Sequence, residues 1–252
     1  MATQESVIKL KGALGDLSFY KTADGYLARR KGGVSADRIK NDPAFERTRE
    51  NLAEFGRAGK AAKLLRTALR TQIVQAADKR MTSRLTQALM KVIQADATNL
   101  RGQRNVIDGE AELLNGFEFN ENGKLRQSVL AGFTMSINRA TGTLAVTIPA
   151  FIAGQMIMYP AGATHCKLET VAAEIDFEAG TYVVAAAESD AIVLGNQLQN
   201  ELVLSQVVTA ASTHPLFLGL GIKFYQQVNA QLYALKNGAH NGLAFVQVDG
   251  GV

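Results

Sequence analysis

Tryptophan is absent from this 252-residue chain, cysteine occurs once and proline four times. The lone Cys166 excludes an intrachain disulfide and any cysteine-rich zinc or iron–sulfur centre, and it reads as a small buried apolar residue on a strand. So little proline, with 47% hydrophobic and 20% charged residues, excludes a disordered tail and describes a folded chain. With aromatics at 7%, the core has to rest on Leu, Ile, Val, Ala, Met and Phe. The length suits two modest domains.

Catalytic and metal motifs are also missing. His165, His214 and His240 are too far apart for one helix-borne metal site. His165 and Cys166 are neighbours, but neighbours on a strand point to opposite faces and cannot form a nucleophile–base dyad. Gly219-Leu220-Gly221 lies in an alternating strand with no following Lys-Ser/Thr, so it marks a sheet bend or a close backbone approach rather than a phosphate loop. Glu174 and Asp176 share a strand face and read as solvated carboxylates. The chain is therefore expected to be no enzyme and to need no cofactor or metal. Its polar start, Met1-Ala2-Thr3-Gln4-Glu5, lacks a secretory apolar stretch, which makes the cytoplasm the default address, with a virion or released assembly also open. The uncharged stretches 140–166 and 202–222 alternate like strands and carry Pro149, Pro160 and Pro215, so no membrane span is expected.

What is present is a divided charge. Residues 1–107 hold 21 Lys plus Arg against 10 Asp plus Glu, net +11; residues 108–252 hold 6 against 13, net −7; together these give +4. Opposite fields on the two halves favour head-to-tail association of copies; solvated faces on a monomer are the alternative.

Leu14–Lys21 and Tyr26–Lys31 form a predicted β-hairpin turning at Ala23-Asp24-Gly25, since Asp-Gly supplies the positive φ the turn needs. Asn41 or Asp42, Pro43 and Glu46 predict a helix start near residue 42. Its apolar stripe runs Phe45, Leu52, Phe55, Gly59, Ala62, Leu65, Leu69, Ile73 and Ala76, and Gly56 and Gly59 predict a kink, two helices in place of one, or a close crossing. Met81, Leu85, Leu89 (or Ala88), Val92 and Ile93 predict another helix capped by Thr82 or Ser83. Periodicity fades over 97–116, placing a boundary near residue 110.

Beyond it the period falls to two. Phe133–Ile137 pairs with Leu144–Ile148, Val171–Phe177 with Tyr182–Ala186, Leu216–Gln227 with Gln231–Leu235, and Leu243–Val248 closes the set. About eight strands without intervening helices point to an antiparallel sandwich. The predicted fold is thus α+β: a basic β-hairpin and helical domain over 1–110, then an acidic immunoglobulin-like antiparallel β-sandwich over 111–252.

Two residue sets stand out. Phe19, Tyr20, Tyr26, Arg29, Arg30 and Lys31 belong to the hairpin, whose unpaired edges can add to a neighbour's sheet, so they are the candidate self-association surface. Arg57, Lys60, Lys63, Arg66 and Arg70 recur every three or four residues as a cationic ridge that suits an anion or nucleic acid, although Glu46, Glu50 and Glu54 interrupt its upstream end. The expected partner is the protein itself, head to tail, with nucleic acid as the rival.

The runs Gly12–Lys21, Asp24–Arg29 and Asp42–Asn51, with Phe224–Asn229 and Leu235–Ala239, resemble an uncharacterised family of proteins from Bacteroidota and their phages. The resemblance implies a bacterial source and a recurring architecture, supplies no catalytic residues, and by analogy suits a filament, shell or virion component.

Overall fold

The computed structural model describes residues 2–5, 7–22 and 25–251, apart from the side chains of Lys236 and Asn237. Contacts divide the chain into two units, Met1–Arg49 and Glu50–Val252. Helix (27%) and antiparallel strand (36%) both contribute, which settles a mixed fold with a curled sheet.

In the first unit, β1 (Ala2–Thr3), β2 (Gly12–Leu14), β3 (Leu17–Thr22) and β4 (Gly25–Arg30) form an antiparallel sheet in the order β1-β4-β3-β2. The hairpin is present, but Gly15, at φ 54°, turns the chain so that Gly12–Leu14 folds back on Leu17–Phe19. Of the predicted turn, Ala23 and Asp24 lie outside the described residues. The hairpin edges expected to be free are occupied on both sides, by β1 and β2. Ser35 then caps α1 (Ala36–Asn41), its Oγ accepting from the Arg38 amide at 3.3 Å. Asp42 accepts from the Ala44 amide at 3.0 Å and Pro43 opens a 3-10 turn (Pro43–Phe45) leading into α2 (Glu46–Ala68), so the capping residues act where predicted. None of the described residues from 2 to 49 is buried.

Helix α2 buries Glu54, Ala58, Ala61, Ala62 and Leu65, whereas Leu52 and Phe55 of the predicted stripe are 57% and 59% exposed. The helix is unbroken at Gly56 and Gly59, where an added Cβ would meet nothing. It ends instead at Leu69 (φ −94°, ψ 20°), before α3 (Arg70–Ala76). Helix α4 (Met81–Gln94) buries Met81, Leu85, Leu89, Val92 and Ile93 as the period requires, but neither Thr82 nor Ser83 caps it. Arg80 stands at the N-cap without a side-chain cap, and Asp78 orders the turn before it by accepting from the Arg80 amide at 2.6 Å.

The segment that follows is irregular because side chains satisfy its backbone. Buried Asp96 accepts from the amides of Thr98 (2.8 Å), Asn99 (2.9 Å) and Asn105 (3.0 Å), and from Asn99 Nδ2 (3.0 Å). A 3-10 turn (Ala111–Leu114) and α5 (Leu125–Ser128) lead to the strands: β5 (Thr134–Asn138), β6 (Thr143–Ile148), β7 (Phe151–Ile152), then α6 (Ala153–Met156). They continue as β8 (His165–Asp176), β9 (Thr181–Glu188), β10 (Ile192–Val193), β11 (Leu198–Gln199), β12 (Leu202–Val207), β13 (Leu216–Val228), β14 (Gln231–Ala234) and β15 (Gly242–Asp249). Every predicted strand pair is found, including the β13–β14 hairpin, whose turn residues Asn229 (φ 49°) and Ala230 (φ 64°) both take the left-handed conformation.

Strands β8 and β13 are the centre. Val171, Ala173, Ile175 and Phe217 face one core, with Ala58, Leu65 and Leu69 of the first helices, Leu85, Leu89, Val92 and Ile93 of α4, and Phe245 of β15. The alternate residues, Leu168, Ala172, Leu216, Leu218, Leu220 and Ile222, face a second core closed by Leu144, Val146, Ile148 and Leu204 of the β12-β6-β5 sheet. One face of the central sheet is therefore covered by helices, and an immunoglobulin-like sandwich is not confirmed. Helices and strands on the two sides of residue 110 fill one core, and the division into units by contacts falls at Arg49/Glu50. Gly219 behaves as predicted, since the register against β15 shifts between Leu218 and Gly219 and a Cβ there would lie 2.8 Å from Val171 Cγ1. At one end of the helix-facing side, Lys223 Nζ bridges Glu169 (2.5 Å) and Glu188 (2.9 Å).

Burial pushes the Asp96 carboxyl up, but the amides of Asn99, Asn105 and Thr98 and the Asn99 side chain outweigh it and hold the carboxyl at about 2, below its ordinary 3.8. A depressed folded-state value means stability that is present above 3.8 and lost as pH falls toward 2. Asp96→Ala, which strands three amides, is expected to cost about 2–3 kcal/mol in urea unfolding at pH 7, with the deficit shrinking at low pH.

Candidate functional site

The β3–β4 register sets the geometry of the basic surface. Phe19 lies opposite Ala28, Tyr20 opposite Leu27, Lys21 opposite Tyr26 and Ser18 opposite Arg29. Alternation then splits the predicted set: Phe19, Tyr26 and Arg30 occupy one face, Tyr20 and Arg29 the other, and Lys31 follows the strand. The Arg29 guanidinium stands 5.6 Å from the Tyr20 ring centroid, and Lys21 Nζ 5.5 Å from that of Tyr26. Arg30 and Asp16 approach to 3.9 Å with both side chains over 80% exposed, a contact worth little in water. The surface thus offers two cationic aromatic faces.

The ridge on α2 is less uniform than its spacing suggested. Arg57 Nη1 donates to the carbonyls of Gly102 (2.7 Å) and Arg104 (3.1 Å), so this guanidinium fastens the irregular segment to the helix. Arg66 Nε donates back to Ala62 O at 3.2 Å. Lys60, Lys63 and Arg70 are exposed and carry no ion pair among the described residues.

The helix is positioned by an ion pair that the spacing did not reveal. Glu54 is fully buried and binds Arg104 through both oxygens (2.7 and 3.0 Å) while accepting from the Gly102 amide at 2.7 Å. Burial would push this carboxyl up, yet Arg104 and Gly102 outweigh it and hold it below the ordinary range. Glu54 therefore does not oppose the ridge from the helix surface; it faces inward.

Beside Lys60 and Lys63 lies a cavity of about 460 Å³, walled by Leu64 and Thr67 of α2, Val106 and Ile107, and the β8–β9 turn with Phe177, Gly180 and Tyr182. Its floor is apolar and its helical wall cationic. Sequence spacing placed the lysines on one ridge but gave no sign that the β8–β9 turn meets them.

The remaining polar candidates are structural. Cys166 is buried, and burial pushes its thiol up to about 12, which leaves it without a nucleophilic thiolate. Glu174 is buried rather than solvated, accepting from Ser212 Oγ (2.6 Å) and the Thr209 amide (3.1 Å), and Asp176 accepts from the amides of Glu178 and Ala179 (both 2.9 Å). Burial pushes the Lys223 ammonium down, but Glu169 and Glu188 hold it above the ordinary lysine value, so it stays charged. Among the described residues no group of three or more His, Cys, Asp or Glu is placed to hold a metal, and no helix is long and apolar enough to cross a membrane.

No family model, curated protein or solved structure matches the chain.

Glu54→Ala leaves the Arg104 guanidinium without its partner and is expected to cost about 3–5 kcal/mol in denaturant unfolding. Arg104→Ala, which leaves a fully buried carboxylate, is expected to cost at least as much.

Proposed function

We propose that this protein is a self-assembling structural subunit that builds a homo-oligomer, filament or shell. One observation carries the reading: none of the described residues from 2 to 49 is buried, although they form a four-stranded sheet and a helix. Sheets of short strands need a covered face to be stable, and Phe19 and Tyr26 on one face, with Tyr20 and Leu27 on the other, are only half-buried. The faces carry Phe19 and Tyr26, or Tyr20 and Leu27, next to Arg29, Arg30 and Lys31, chemistry suited to an acidic, partly apolar surface. The net −7 of residues 108–252 supplies such a surface on a neighbouring copy, and a contact between unlike surfaces gives rings or filaments. The resemblance to Bacteroidota and phage proteins accords with a filament, shell or virion component. No catalytic role is assigned.

Light scattering and negative-stain microscopy at low and high salt test this reading. Ordered assemblies are expected at low salt, and reversing Arg29, Arg30 and Lys31 to Glu is expected to weaken association by roughly tenfold or more. A monomer at high concentration and low salt refutes it.

A nucleic-acid-binding reading draws on the exposed Lys60, Lys63 and Arg70, with Tyr182 beside the first two for stacking. It predicts salt-dependent binding of single-stranded oligonucleotides that is lost in Lys60→Ala/Lys63→Ala.

A further inference from the structure

The two long sides of the central sheet end differently. Along β15 the chain covers its own edge: the Gly116 and Phe119 amides donate to Phe245 O and Leu243 O (both 2.8 Å), and the Phe245 amide to Phe117 O (3.1 Å). Along β9 no backbone hydrogen bond does so among the described residues, although β12 passes close to this strand as it crosses the sheet. Ser189 N–H donates to Leu168 O at 2.8 Å, and the register with β8 runs without a shift from Thr181 to Glu188. By the alternation of an antiparallel ladder, Thr181, Val183, Ala185 and Ala187 turn their backbone groups to β8, whereas Tyr182, Val184, Ala186 and Glu188 turn theirs outward. Among the described residues no hydrogen bond reaches those outward groups. The strand Thr-Tyr-Val-Val-Ala-Ala-Ala-Glu has no lysine, no proline and no bulge to protect it as an edge, and its one charge, Glu188, stands at its end. Tyr182 and Val183 are 43% and 44% exposed.

We propose that β9 pairs antiparallel with β9 of a second copy across a two-fold axis, continuing the central sheet from one subunit into the next. This edge is self-complementary. Centred on Ala185, the pairing sets Val184 against Ala186 of the second copy and Tyr182 against its Glu188, so every outward backbone group meets another outward group. The small side chains at 185–187 let the strands approach. No carboxylate faces a carboxylate: Glu188 opposes Tyr182, and the exposed Asp190 opposes Gly180. Gly180 and Tyr182 border the cavity walled by Lys60 and Lys63, so the second copy's Asp190 is brought toward two exposed lysines that carry no ion pair among the described residues. The proposal names an interface separate from the basic N-terminal sheet. It deepens the self-assembly reading, because a two-fold contact joined to a head-to-tail contact extends in more than one direction.

High salt separates the two contacts. At about 1 M, screening falls to about 3 Å and the charge-driven contact weakens, whereas main-chain pairing persists. Sedimentation of the full chain under that condition is expected to show a dimer for wild type and for the Arg29→Glu/Arg30→Glu/Lys31→Glu variant. Ala186→Pro, which removes an outward N–H and no bond to β8, and Ala186→Lys are expected to weaken the dimer at least tenfold with unchanged circular dichroism. Ala185→Cys faces its own copy in this register and is expected to form a covalent dimer on mild oxidation, while Val183→Cys is not; buried Cys166 gives no background. A wild-type monomer at high salt, dimers undiminished by both Ala186 variants, or no preference for Cys at 185 over 183 overturns the proposal. Should Ala186→Pro unfold, the lysine variant and the cross-linking decide. If this interface fails while low-salt assembly remains sensitive to Arg29, Arg30 and Lys31, the head-to-tail reading stands without it.

Discussion

Strands β8 and β13 are bonded side by side over ten residue pairs, from Leu216–Glu174 to Tyr225–His165, and each is covered on both faces. A strand in that position has no solvent face, so each residue has to suit one of two different cores. The helix-facing side takes Val171, Ala173, Ile175 and Phe217 and closes with helices; the other takes a row of leucines and closes with a second sheet. The remaining strands and helices are arranged by what those two faces require. Gly219 and Gly221 belong to the same constraint: Val171 fills the space over the first, and the Gly242 carbonyl lies 3.1 Å from where a Cβ of the second would be.

The first unit obeys no such constraint. Its sheet is held by main-chain bonds and cation–aromatic pairs, and exposure there is the rule. Two kinds of element thus occur in one chain, one held by apolar burial and one with no buried side chain among its described residues. In the assembly we propose, copies meet at a face and an edge, the half-covered faces of the first sheet and the side of β9 without backbone partners.

How much was legible in the sequence follows from what each element packs against. Helix α4 meets an apolar surface, so its stripe, from Met81 to Ile93, is apolar and readable. The first half of α2 meets Gly102 and Arg104, so its buried face holds Glu54 and alanines while Leu52 and Phe55 point away, and hydrophobic spacing misassigns the side. The strands were visible because each carries alternating bulk, and their hairpins because the turns are short. β1 and β2, at two and three residues, are too short to show a period, which is why the hairpin edges looked free. Of the ridge, spacing found Lys60, Lys63 and Arg70, but that Arg57 serves a loop 45 residues downstream is a tertiary fact that no local pattern contains.

The bridge from Lys223 to Glu169 and Glu188 has a consequence beyond its own contribution to stability. It closes one end of the helix-facing side of the sheet, and it is the only lysine within β13. Were β13 to slide by a single residue during folding, Lys223 would turn into the leucine-lined core with no carboxylate within reach, at a cost of several kcal/mol. Slid by two so that it faced His165 instead of Lys167, it would keep the face and lose both partners, whereas the opposite slide would set it across from Glu169. The ammonium therefore works as an alignment pin: among the many ways two long apolar strands can lie together, it disfavours every one-residue slip, which would strand it in the leucine-lined core.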